Sequence, residues 1–205
     1  MEDKTKVILL VIAAVAALVF IVWFSIYFSK GNRKGRAAER KVARKLKKLG
    51  RNDNIRILNN VFINVNNKDC EIDHLVFGRF GVLVIDTKGI SGTLSGEGKR
   101  LVHKDGIKTR KMYNPQLTNR AHIDNIIHHL RKGGFTDVAV TGAVVFTDKD
   151  LVLNTSVGIK LDELETVYEG LRDAGCNQDV LLHYFRKTEI KNPFKKLAHK
   201  FAYDE

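Results

Sequence analysis

The chain has 205 residues, 44% of them hydrophobic and only two of them proline, which excludes a disordered or collagen-like polymer and allows one domain with extensions. Its formal net charge of +12 points to a polyanionic partner, either nucleic acid or the acidic inner leaflet of a membrane. The two cysteines, Cys70 and Cys176, fit no metal-ligand spacing and suit free thiols in a reducing compartment, with a disulfide as the alternative.

In chain order, the first element is VILLVIAAVAALVFIVWFSIYF, Val7 to Phe28, 22 residues without a charge. That length spans the hydrocarbon core as a helix, and it exceeds the apolar region of a cleavable signal peptide. Trp23 and Tyr27 suit an interfacial aromatic belt. Lys30, Arg33, Lys34 and Arg36 follow the span, whereas the N-terminal flank is balanced. The positive-inside rule then puts the short N-terminus outside and the bulk of the protein in the cytoplasm. The first 28 residues carry two lysines and two acids, so the remainder keeps the whole +12. The basic cluster over residues 30–48 lies beside the span, where anionic lipid is a candidate contact.

The segment from Arg36 predicts an amphipathic helix that Gly50 stops, with an apolar stripe of Val42, Ala43, Leu46 and Leu49. Glu39 falls on that stripe, an unusual place for an acid. Ile55 to Val65 predicts a strand pair or one bulged strand, and NVNNKD a turn. Two apolar runs follow, HLVF and VLVI, turning at Gly78-Arg79-Phe80-Gly81. Gly89 to Gly98 predicts a loop with a short strand, and the stretch to Met112 a further strand and connection. Asn114-Pro115-Gln116 opens a second helix, Asn as cap and Pro at the first helical position. The stripe of that helix is Ile123, Ile127 and Leu130, and Gly133-Gly134 closes it. Asp137 to Asp148 predicts a buried strand. A helix from Asp162 with Glu165 in a capping box, a segment QDVLLHYFRK and a basic tail complete the chain.

The hairpin carries the chemistry. If it turns symmetrically, Phe77 opposes Val82, Asp73 opposes Asp86, and Glu71 opposes Lys88. Opposed side chains share a face about 4.5–5.5 Å apart, and like charges there destabilise the sheet unless a cation lies between them. A divalent cation such as Mg²⁺ resolves this, since it takes one or two carboxylates plus water and phosphate oxygens. Lys88, two residues beyond Asp86, lies on the same face. A surface charge ladder also explains Lys88 but not the acid pair, and a one-residue bulge would remove the opposition.

These residues resemble the PD-(D/E)XK nuclease superfamily, and the surrounding text resembles its NERD (nuclease-related domain) branch. The matching stretches are Gly35-Arg-Ala-Ala-Glu39, Leu58-Asn59-Asn60, Glu71-Ile-Asp-His74, Val84-Ile-Asp-Thr-Lys88, Ser91-Gly92-Thr-Leu-Ser-Gly96 and Asn114-Pro115-Gln116. They run in order over roughly Gly35 to Thr147. The resemblance implies an α/β fold, a restriction-endonuclease-like mixed β-sheet flanked by helices, here preceded by a single transmembrane helix. It implies Mg²⁺-dependent (Mn²⁺ as the alternative) hydrolysis of phosphodiesters in DNA, with RNA left open. Asp73 and Asp86 correspond to metal ligands, Lys88 to the cation that orients water, Glu39 to a further acid, and Gln116 to a residue near phosphate. Three positions depart from the branch: Asp86 stands where Glu is more frequent, Gly89 where Asn commonly follows the lysine, and Ala38 where Gly often precedes the helix acid.

The organisation expected is an anchor over residues 1–28, a basic linker over 29–34, a nuclease-like domain over 35–148, and a helical extension with a basic tail over 149–205. Other features carry less. His122, His128 and His129 lack the spacing of a helical zinc pair and suit a surface role. The glycine-rich loop has no Walker lysine. KNPFKKLAHKFAY suits a solvated tail. Two further functions remain beside the nuclease: a non-catalytic module that tethers nucleic acid or a partner at the membrane, and a scaffold whose basic patches serve anionic lipid.

Overall fold

The computed structural model describes residues 2–51, 53–65 and 68–191, and for residues 2–5, 7–11, 22–32 and 68 the backbone alone. The expected turn at 66–67 and the basic tail from residue 192 lie outside the described residues. The chain divides into two compact units, Met1–Ala37 and Ala38–Glu205. The first helix, α1, runs unbroken over Glu2–Leu49, so residues 29–34 continue a helix where a linker is expected; Gly35 lies inside the same helix. Among the described residues no helix is long and apolar enough to cross a membrane. Residues 7–11 and 22–28 of the expected span lie outside those whose side chains are described.

The second unit is a mixed α/β fold. Its strands are β1 (Arg56–Val65), β2 (Lys68–Gly78), β3 (Gly81–Lys88), β4 (Thr93–Ser95), β5 (Arg100–Asp105), β6 (Lys108–Tyr113), β7 (Val140–Phe146), β8 (Val152–Asn154) and β9 (Ile159–Lys160). Its further helices are α2 (Pro115–Lys132), α3 (Leu164–Glu169) and α4 (Gln178–Thr188). Five strands form one sheet in the order β1-β2-β3-β7-β9, and four form another in the order β6-β5-β4-β8. Both sheets are mixed: β3 and β7 pair in parallel, as do β4 and β8, while the hairpins are antiparallel.

The five-stranded sheet is covered on both faces, which is why VLVI reads as a continuous apolar run rather than an alternation. On one face Leu75, Phe77, Val82 and Val84 pack against Ile126 and Leu130 of α2 and Phe185 of α4. On the other, Val76, Leu83 and Ile85 pack against Val42 and Leu46 of α1 and Leu164 of α3. A third cluster joins Val144 and Phe146 of β7 to Leu94 and Leu101 of the second sheet. Gly81, with φ of +103°, makes the tight turn into β3, and its Cα faces the carbonyl of Ala139 closely enough that a Cβ would clash.

Several expectations shift. The short strands expected over Gly89–Gly98 and before Met112 are β4 and β5, and β6 and β8 join them in a four-stranded sheet that the sequence does not predict. Ile126 rather than Ile127 is the buried centre of α2. His129 is buried, not on the surface, and bonds Thr188 Oγ1 at 2.9 Å. The Asp162–Glu165 capping box does not form, because α3 starts later, after Glu163, and Glu165 pairs with Lys45 of α1. Both cysteines are free thiols. Asn114 does cap α2, accepting from the Gln116 N–H at 2.9 Å.

Leu46 is fully buried and fastens to the sheet the part of α1 that carries Glu39. We expect Leu46→Ala to lower the unfolding free energy by about 2–5 kcal/mol, read as a lower denaturant midpoint at unchanged slope.

Candidate active site

The hairpin keeps the predicted register as far as its ladder runs, and the expected Asp73–Asp86 and Glu71–Lys88 pairs fall beyond it. Phe77 opposes Val82, Leu75 opposes Val84, and the ladder ends at His74 opposite Ile85. Beyond that pair the strands part company. β2 continues along β1, while β3 continues along β7, with Asp86 beside Val144 and Lys88 beside Phe146. Asp73 and Asp86 are the first residues past the ladder, so they stand where the sheet forks.

A kink in β1 and β2 explains why Asp73 is free of the ladder. The β1–β2 register is constant from Arg56–Phe77 to Val65–Lys68, yet no pair joins Asn60 and Asp73. Asn60 has φ of +53°, a left-handed conformation that Asn tolerates better than most residues. Both strands change face there: Leu58 and then Val61 and Ile63 share one core cluster, as do Leu75 and then Ile72. The segment is thus one continuous strand, neither a strand pair nor bulged, since the register is the same on both sides of the kink. Released from the ladder, the Asp73 carboxylate accepts the Thr87 backbone N–H at 2.6 Å. Next to it, His74 is buried and its Nδ1 lies 2.7 Å from Asn59 Oδ1, pinning the two strands beside the kink.

Asp86 is buried, its side chain 6% exposed, and Oδ1 accepts from Lys88 Nζ at 2.7 Å. Lys88 is therefore engaged by Asp86, and the ladder does not extend to a Glu71–Lys88 pair; Glu71 opposes Phe62 of β1 instead. Asp86 Oδ2 has no hydrogen-bond partner among the described residues, and neither do Thr87 Oγ1, His74 Nε2 and Asn119 Oδ1. Buried polar atoms are nearly always satisfied, so the unpartnered Asp86 Oδ2 at the fork is informative. Burial first, and then the neighbouring Asp86 charge, push the Asp73 carboxyl up to about 7; the Thr87 N–H and Lys88 oppose the rise and Glu39 adds to it. Glu39 thus acts on the acid pair electrostatically from α1, as its place on the stripe implies. Burial lowers His74 to about 4.

Gln116 does not join this group. It is exposed in the first turn of α2 and lines a cavity of about 500 Å³ with Asn119, Arg120 and Gly142; among the described residues no hydrogen bond ties it to the acids. Asn59, His74 and Thr87 lie within the motif stretches but have no role assigned by sequence, because their contribution depends on the kink. Among the described residues no three His, Cys, Asp or Glu side chains cluster to hold a metal ion by themselves. The donors present nevertheless fit a hard divalent cation. Two neighbouring carboxylates, one with an unpartnered buried oxygen and one raised by burial first and the Asp86 charge second, are donors of the kind Mg²⁺ takes together with water and phosphate oxygens.

The fork thus sets two acids and a lysine at the end of a hairpin buried on both faces of an α/β domain. The NERD, nuclease-related domain, model matches residues 34–147, and the chain belongs to that family. Comparison with curated proteins and with solved structures gave no match.

A carboxyl raised on folding makes the native state bind a proton that the unfolded chain has lost. Its contribution to stability therefore falls as pH rises from about 4 to about 7. His74, lowered on folding, has the opposite slope over about 4 to 6.5. A comparison separates them: in metal-free buffer Asp73→Asn gains stability over wild type progressively from about pH 4, levelling near pH 7, in denaturant titrations.

Proposed function

We propose that the protein is a membrane-anchored, metal-dependent nuclease that hydrolyses phosphodiester bonds in DNA, on a restriction-endonuclease-like fold. The observation that carries this reading is the repulsive, partly unsatisfied Asp73–Asp86 pair with Lys88 bonded to it. A purely structural sheet end gains nothing from a buried acid whose pKa is raised by burial and by a second acid beside it. Asp73 and Asp86 would hold Mg²⁺, or Mn²⁺ in its place, through Asp86 Oδ2 and the Asp73 carboxylate. When bound, such an ion polarises a phosphoryl oxygen and acidifies water.

The chain's own groups do the rest. Lys88, held by Asp86 Oδ1, is positioned to orient the attacking water and to offset charge developing on the phosphoryl oxygens. Glu39, from α1, adds negative charge that favours cation binding. The Thr87 N–H fixes the Asp73 carboxylate, and the Asn59–His74 pair fixes the strand that bears it. Gln116 lies in the first turn of α2, where the helix dipole favours phosphate. The basic surface supports backbone contacts without sequence readout.

The anchor rests on the uncharged run Val7–Phe28, and the cytoplasmic placement on the basic residues after it; the 30–48 cluster would then lie against anionic lipid. A second reading, a non-catalytic module that tethers nucleic acid at the membrane, draws on the absence of a three-donor metal cluster among the described residues.

Plasmid DNA incubated with the full chain should be cut only with Mg²⁺ or Mn²⁺. Asp86→Ala should reduce cutting to background, and Lys88→Ala should slow it by about 10²-fold or more. DNA retained but uncut by wild type in either metal would favour the tethering module.

A further inference from the structure

The second sheet has one face turned to solvent, and its composition is unusual. Burial along β5 alternates, with Leu101 and His103 inward and Arg100, Val102 and Lys104 outward. The ladder puts Tyr113 beside Arg100, Lys111 beside Val102, and Thr109 beside Lys104. On the other side Lys104 is followed by Thr93 and then Val152, and Val102 by Ser95 and then Asn154. The outward face therefore carries three cations, an exposed aromatic and two exposed valines, separated by hydroxyls and an amide. Tyr113 is 48% exposed, Val102 37% and Val152 50%. None of these outward positions is acidic; Asp105 falls on the opposite side of the ladder, with His103, and accepts from Ser91 at 3.5 Å.

Lysines on an edge strand commonly serve to block unwanted pairing. That accounts for Lys111 on β6, which is an edge, but not for Lys104 on β5, which is paired on both sides. Nor does it account for Tyr113 and the valines left open to water. The geometry points to this face as a platform for single-stranded nucleic acid, with Tyr113 stacking a base and Arg100, Lys104 and Lys111 holding phosphates. A flat sheet face with an aromatic and flanking cations suits unpaired bases, whose rings are free to stack, better than a closed duplex. The platform is also joined to the candidate active site. Ser91, in the loop after Lys88, accepts from His103 of β5 at 2.7 Å through its carbonyl, and Arg110 donates to the other nitrogen of that ring at 3.1 Å. Tyr113 directly precedes the Asn114 cap of α2.

The inference deepens the nuclease reading, since it gives the substrate an unpaired segment, and it can fail independently. Binding of fluorescent oligothymidine to the full chain in metal-free buffer tests it. Tyr113→Ala should weaken binding at least about fivefold, and Tyr113→Phe should restore it. Lys104→Ala with Lys111→Ala should flatten the salt dependence by about 0.7 per cation removed. Wild-type affinity in all these variants, with metal-dependent cutting intact, would overturn the platform and leave the nuclease standing. Weakened binding by Tyr113→Ala in a protein that cuts nothing would uphold the platform and remove the nuclease. Loss of anionic-vesicle binding in the double lysine variant, with oligothymidine binding unchanged, would assign the face to membrane and overturn the inference.

Discussion

The structure turns on the repulsion between Asp73 and Asp86. Two carboxylates at the end of a hairpin covered on both faces cannot both ionise cheaply, because little water reaches them to screen the charge. The fold sets the conflict up rather than avoiding it. β2 and β3 stay in register up to His74 and Ile85 and then follow different neighbours, leaving the acids at the opening. Lys88 offsets part of the repulsion through Asp86 Oδ1, and the Thr87 N–H offsets part through Asp73. What remains uncompensated, Asp86 Oδ2 and the raised Asp73 carboxyl, is the part a divalent cation would neutralise.

The scaffolding around the fork follows from that need. A residue in left-handed conformation, Asn60, costs free energy and weakens the β1–β2 ladder at its own position. The cost is offset by core burial on either side, where Val61, Ile63 and Ile72 are almost completely enclosed. The buried Asn59–His74 contact stiffens the same point. On the opposite face, Val42 and Leu46 hold α1 against the sheet, which keeps Glu39 near enough for its charge to act on Asp73. Strain at the site and rigidity beside it are parts of one arrangement.

Much of this was legible in the sequence because it rests on short-range rules. The hairpin register follows from its turn, the Asn114 cap from Asn-Pro, and the covered sheet from unbroken apolar runs. Glu39 stood out because an acid on an apolar stripe breaks the pattern. The face change at Asn60 was not legible, since it depends on a backbone angle that many residue pairs would permit. Short strands near β4 and β5 are expected, but their assembly into a second sheet was not legible, because β4 and β8 are three residues each and β6 carries four polar residues in succession. Glu165 looked like a capping residue because only tertiary contact could show that Lys45 claims it. His129 looked like a surface residue because its burial depends on α4, distant in sequence.

The most direct test of the central claim is calorimetric titration of Mg²⁺ into the metal-free full chain near pH 6, repeated in buffers of different ionisation enthalpy. With the Asp73 carboxyl raised to about 7 by burial and by its neighbour, binding should release close to one proton per ion, since ligands must ionise to coordinate. The release should fade as pH passes about 7, and binding should vanish in Asp86→Ala. Absence of binding in the wild type, or binding that persists unchanged in Asp86→Ala, would contradict a divalent-cation site at the fork.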